Sequence, residues 1–234
     1  MLRLLDSLLR RMLLATIDRM SLKGLLLLAA RLQKSEKWPE AEKVLLHARA
    51  ETEKEGNTEG LIRVLLHLSR VYQSLEDFPR THEVLEQALA LANEIEDRGW
   101  QGAVHHHIGV AHMLRNQYSQ AITHYREVVV IDKELKNHKA LAAAYLRLGI
   151  CYREEGDPKK AINCHRKSLN IAERLGDRHF AAEQYFHLGT LCLEDLDDKG
   201  EARAYFDKAR ALFEAVGDEH YAEQADEGLR NSEN

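Results

Sequence analysis

The chain has 234 residues, 44% hydrophobic and 30% charged, with only 3 Pro, 13 Gly and 6% aromatics. That composition excludes a fold of many short strands joined by turns and fits a chain that is nearly all helix. Thirty-three Lys and Arg against thirty-eight Asp and Glu leave a net charge of -5, which excludes an overall basic field for nucleic acid or an anionic membrane.

The first stretch, MLRLLDSLLRRMLLATIDRM, is leucine-rich and carries Arg3, Arg10, Arg11 and Arg19. Asp6 breaks a secretory hydrophobic core, and Asp6 with Asp18 fits poorly with an acid-poor presequence, so mitochondrial targeting is the minor reading. Residues 1–20 are expected to form an amphipathic helix, as half a repeat or a cap. Beyond them apolar runs such as Leu25 to Ala30 are far below the roughly 20 residues of a membrane-spanning helix.

From residue 21 the sequence repeats every 40 residues. Leu28-Ala29, Leu68-Ser69, Ile108-Gly109, Leu148-Gly149 and Leu188-Gly189 share one register. Leu25, Leu65, His105, Tyr145 and Tyr185 stand four before the small residue; Leu32, Tyr72, His112, Tyr152 and Cys192 stand three after it. These positions form one helical stripe. A polar break follows, and then a second helix whose first turn holds every proline: Pro39, Pro79 and Pro158. Proline is tolerated there because first-turn N–H groups have no intrahelical partner.

The second helix carries Ala41, Thr81, Ala121 and Ala161 in one column, with Ala202 displaced by a one-residue insertion expected in the DLDDKGE loop. Leu45, Leu85, Tyr125, His165 and Phe206 follow four later. It ends at a polar turn near Gly56, Glu96, Lys136, Gly176 and Gly217, where glycine supplies a left-handed residue. The predicted units are 21–60 (degenerate), 61–100, 101–140, 141–180 and 181–221, each a helix-turn-helix pair. Residues 222–234 form an acidic cap and tail: positions 218–234 hold six acids and one base.

Tyr145, Leu148-Gly149, Tyr152, Gly156-Asp157, Ala161 and Leu169 resemble the tetratricopeptide repeat, in the 40-residue branch typified by kinesin light chains and G-protein regulators. The resemblance spans about residues 21–221 and implies an all-α superhelix of antiparallel helix pairs that recruits other proteins. It also implies that the first-helix face turned away from the core lines a concave groove. On that face the position two before the small residue reads Leu27, His67, His107, Arg147 and His187. The branch often carries Asn there to hold peptide backbone.

The neighbouring positions run from basic (Lys23, Lys34, Arg63, Arg70) through apolar (Val110, Leu114, Ala143, Ile150) to acidic (Glu154, Glu183, Glu194). The candidate groove residues are therefore Lys23, Arg63, His67, Arg70, His107, Val110, Leu114, Arg147, Ile150, Glu154, Glu183 and His187. A complementary ligand is a peptide or amphipathic helix, acidic at one end, apolar in its middle and basic at the other.

Other chemistry finds little support. His105, His106 and His107 are consecutive and point about 100° apart on a helix, and no His pair stands at i, i+4 as zinc sites prefer. His105 and His112 occupy packing columns. Cys151, Cys164 and Cys192 lack CxxC spacing and read as buried small hydrophobes in a reducing, cytoplasmic setting. No nucleophile elbow, phosphate-cradling Gly loop or HExxH occurs. The expectation is a non-catalytic adaptor that needs no cofactor or metal, contacts no nucleic acid and spans no membrane. The alternative is a subunit permanently embedded in a cytoskeletal, ciliary or transport assembly. The sequence leaves the oligomeric state open.

Overall fold

A computed structural model describes Ile17 and residues 20–233. Apart from Ile17 and Met20, the expected amino-terminal helix lies outside the described residues. Eleven α-helices and no strand occur among the described residues. They are α1 (Leu22–Lys34), α2 (Trp38–Glu55), α3 (Thr58–Ser74), α4 (Phe78–Glu94), α5 (Arg98–Leu114), α6 (Tyr118–Glu134), α7 (His138–Glu154), α8 (Pro158–Leu175), α9 (Arg178–Thr190), α10 (Lys199–Val216) and α11 (Glu219–Glu233). The chain divides into two compact units, Met1–Ala111 and His112–Asn234.

Except between α9 and α10, the links are two or three residues long because each performs the same two steps. One residue adopts the left-handed conformation and closes the preceding helix: Gly56, Gly156, Gly176 and Gly217, but also Glu36, Glu76, Glu96, Asn116, Lys136 and Asp197. The next residue usually caps the following helix. Asn57, Asp77, Asp97, Asn137, Asp157 and Asp177 each accept the backbone N–H three residues on, which satisfies a donor left unpaired at the helix start. All three prolines lie in first turns.

In the first unit Leu25, Ala29, Leu45, Leu65, Leu68 and Leu85 are buried in one core that extends to Val104 and Ile108. In the second, Ala161, Leu188, Cys192, Ala202 and Phe206 form another. The columns seen in the sequence interlock by volume. Where the first helix carries glycine, the second carries a ring: a Cβ on Gly149 would lie 2.5 Å from His165 Nε2, and one on Gly189 would lie 2.9 Å from the Phe206 ring. Phe206 is also closed in by Gly228 of α11, where a Cβ would lie 2.7 Å from it. The acidic carboxy-terminal stretch is thus a helix that covers α10 with Ala222, Ala225 and Gly228 and leaves its polar side outward.

One expectation is corrected. The inserted residue of the last pair is not in the DLDDKGE loop. The left-handed residues fall at 116, 156 and 197, so the extra residue lies before Asp197, and the chain absorbs it in a π-helical turn over Leu191–Asp195. The closing bond from the Asp198 N–H reaches back to the Cys192 carbonyl, one residue farther than Asp157 N–H to the Tyr152 carbonyl. A π-turn widens the helix by one residue per turn and so preserves the packing on either side.

Candidate functional site

The first-helix faces are built separately in the two units. In the first, α3 presents Arg63, His67 and Arg70 at i, i+4 and i+7, which places them on one side of the helix. Arg63 and Arg70 are exposed, as is Lys23 on α1. His67 and His107, the latter on α5, are half-buried, which differs from the solvent-facing ladder that helical angles alone suggest. Val110 is half-buried as well.

A polar layer lies under the two arginines. Gln33 of α1, only 5% exposed, donates from Nε2 to the His67 carbonyl at 3.2 Å. The buried Ser69 hydroxyl donates to the Leu66 carbonyl at 2.8 Å and stands 3.5 Å from His107 Nδ1. Gln33 Oε1 and His67 Nδ1 have no hydrogen-bond partner among the described residues. Burial, then Arg70 and Arg63, lowers the His67 pKa; burial, then His106, Arg70 and His67, lowers that of His107 to about 4. Both imidazoles are therefore neutral near pH 7, and the charge of this face belongs to its arginines.

Those arginines differ from the ones carried by the second helices. Arg49 pairs with Glu53 at 2.9 Å, Arg80 with Asp77 at 2.6 Å, Arg166 with Glu201 at 2.7 Å and Arg210 with Asp226 at 3.1 Å. Neither Arg63 nor Arg70 forms an ion pair among the described residues; Arg63 lies 5.4 Å from the Trp100 ring centroid.

In the second unit Leu114 is 57% exposed at the end of α5. Arg147 and Glu154 are exposed on α7, with Ile150 half-buried between them. Glu183 and His187 of α9 are half-buried. His187 stacks on His165 at 5.0 Å between ring centroids. Burial, then His165, Arg153 and Arg147, lowers its pKa to about 4. His165 Nδ1 donates to Gln184 Oε1 at 3.0 Å, inside the core. Burial raises the Glu183 carboxyl, whose Oε1 lies 3.5 Å from His179 Nδ1. Glu194 is tied to Arg153, which also bonds Asp195 at 2.8 Å, so its charge is already compensated.

Cys151, Cys164 and Cys192 are buried free thiols, pushed by burial to about 12, 11 and 11. His112 donates to Gln117 Oε1 at 2.9 Å and stacks on His124. Among the described residues no group of three or more His, Cys, Asp or Glu is arranged to hold a metal ion. None of the described helices is long and apolar enough to cross a membrane.

Residues 100–174 and 140–215 match the family model described as tetratricopeptide repeat. No curated protein sequence matches the chain. Solved structures share the fold. A signal transduction ATPase with numerous domains, carrying a tetratricopeptide repeat sensor, from Pyrococcus horikoshii aligns with TM-score 0.80 and 17% identity over 89% of this chain; the chain spans 32% of it. The putative kinesin light chain repeats of Podosopora anserina align with TM-score 0.67 and 20% identity, covering 83% of this chain and 96% of theirs. A Rap protein complexed with Competence and Sporulation Factor aligns with TM-score 0.66 and 21% identity, covering 84% of this chain and 55% of that one.

Proposed function

Residues 100–215 belong to the tetratricopeptide-repeat family, and from that premise we propose that the protein is a non-catalytic interaction scaffold whose first-helix face in the amino-terminal unit binds an acidic protein segment. The observation that carries this reading is the pair of exposed arginines, Arg63 and Arg70, without ion pairs among the described residues, beside the neutral His67 and His107. Two guanidinium groups left without carboxylates can each take one in charge-assisted, bidentate geometry. Seven residues of helix separate the arginines by about 10 Å. That is close to the span of three residues in an extended strand, so acidic residues at i and i+3 of an extended ligand fit the pair.

The first-helix face of the carboxy-terminal unit has a different chemistry. Leu114 and Ile150 offer apolar contact, and Glu154 is an exposed acid for a basic residue. A solved neighbour of this fold is complexed with Competence and Sporulation Factor, which supports ligand capture as the mode of action.

The test is a random linear-peptide library selected on the intact chain. Enrichment of Asp or Glu pairs, lost when selection is repeated on Arg63→Glu/Arg70→Glu, is the expected result. A consensus without acids, or one unaffected by the double substitution, rejects this site.

A further inference from the structure

A second charged surface lies on the second helices of the carboxy-terminal unit. The outward side of α8 holds Lys159, Lys167 and Arg174, all exposed and none in an ion pair among the described residues. Asn163 and Asn170 fill the positions between them, and Glu173 is the only acid of the helix. The neighbours on this face are α6 and α10. Lys133 of α6 and Lys167 of α8 both lie over the Tyr145 ring, at 5.8 and 5.5 Å, and Arg166 of α8 reaches Glu201 of α10. Both flanking helices carry exposed acids, Glu127 on α6 and Asp207 on α10. They also carry exposed bases, Arg126 and Lys133 on α6 and Lys208 on α10, so the borders are mixed in charge and the regular row of bases runs along α8.

That pattern selects the ligand. A nucleic acid or an anionic bilayer presents negative charge broadly and would meet the flanking acids. The Tyr145 and Tyr152 rings are covered by Lys133, Lys167 and Lys160, so they offer no open platform for bases. What fits is a helix with acids along one side. The chain contains one: α11 carries exposed Glu219, Glu223 and Glu227, again without ion pairs among the described residues. These carboxylates and the next charge on that side, Arg230, stand at offsets 0, 4, 8 and 11. Lys159, Asn163, Lys167 and Asn170 on α8 share those offsets. The acids thus meet lysine or asparagine, and the one base meets asparagine. Run antiparallel, as helix dipoles favour, Glu219 reaches Arg174, Glu223 faces Asn170, Glu227 falls within one residue of Lys167, and Arg230 again faces asparagine.

We propose that α8 is a docking surface for α11 of a second copy of this chain, giving a head-to-side, salt-sensitive self-association. The contact joins different patches on the two copies, so it propagates into open chains unless the rotation closes a ring. Exposed ion pairs are individually weak, so the association is a concentration-dependent one that is strongest at low ionic strength. It is independent of the acidic-segment site on α3.

Sedimentation velocity of the intact chain over a concentration series tests this. The expected result is a sedimentation coefficient that rises with concentration at about 20 mM salt and stays flat at about 500 mM, where the screening length falls below about 5 Å. Lys159→Glu/Lys167→Glu/Arg174→Glu should abolish the rise, and so should Glu219→Lys/Glu223→Lys/Glu227→Lys. A chain carrying all six exchanges has the parent's net charge and should recover it, while Arg63→Glu/Arg70→Glu should leave it intact. The proposal is overturned if the parent stays monomeric at low salt, if either triple variant associates like the parent, or if the six-fold variant fails to associate while its circular dichroism matches the parent. Binding of homopolymeric RNA or anionic vesicles that requires Lys159, Lys167 and Arg174, with no self-association, overturns it in favour of that ligand.

Discussion

His165 packs its imidazole directly on the backbone of Gly149: a Cβ at that glycine would stand 2.5 Å from Nε2 and 2.7 Å from Cδ2. The ring is 2% exposed, held on its other side by the 3.0 Å hydrogen bond to Gln184. It is a packing element that fills the volume a side chain would otherwise take.

Gly149→Ala therefore forces α7 and α8 apart and should cost about 1–3 kcal/mol, the usual range for overpacking. The earlier pairs show a remedy, since Ala29 is accompanied by Leu45 and Ser69 by Leu85, all buried. Gly149→Ala combined with His165→Leu should be less destabilised than the sum of the single changes by about 1 kcal/mol or more, as contacting residues couple. Urea midpoints of the four proteins measure that coupling; additive effects would mean that the two residues do not share the space.

Acid should weaken the fold through its buried histidines. His107 and His187 titrate near 4 in the folded chain, below the ordinary 6.5. The unfolded chain then binds more protons between pH 6.5 and 4. Their stabilisation is complete above about pH 6.5, declines as pH falls through that window and is lost below it. By pH 5 each imidazole should have cost on the order of 2 kcal/mol. Replacing His187 with Gln should flatten the dependence of the urea midpoint between pH 7 and 5. An unchanged slope would place the ring in water.

Lys136 ends α6 with φ 54°, a conformation that costs a residue with a Cβ about 1 kcal/mol and glycine little. The equivalent turn after α8 uses Gly176 at φ 72°. Lys136→Gly should raise stability by about 0.5–1 kcal/mol, read as an upward shift of the thermal midpoint. A downward shift would mean that the Lys136 side chain contributes more than the backbone strain removes.

The repeat was legible because it depends on one helix touching the next at fixed offsets, which the spacing of Gly149, His165 and their equivalents records directly. The left-handed turns at Gly56, Gly176 and Gly217 were legible for the same reason, and Glu96 and Lys136 could be placed by register although their chemistry does not demand the conformation. The π-turn at Leu191–Asp195 was not. One extra residue between Gly189 and Ala202 can be absorbed anywhere in that stretch, and only the hydrogen bonds show where. Nor was the burial of His67, His107 and His187 legible. A position's angle on its own helix does not tell how closely neighbouring helices approach it, and Gln33 under His67 comes from 34 residues earlier in the chain. That burial makes changes at the histidines a poor probe of binding, because they disturb packing as well. The exposed Arg63 and Arg70 are the cleaner pair.

The most direct measurement is quantitative affinity purification from cells producing the intact chain, the Arg63→Glu/Arg70→Glu chain and the Lys159→Glu/Lys167→Glu/Arg174→Glu chain at equal levels. The central claim predicts one or more partners lost from the α3 variant, retained by the α8 variant and displaced from the parent by a soluble peptide with acidic residues at i and i+3. Identical partner sets for the parent and the α3 variant, with both folded, would contradict it.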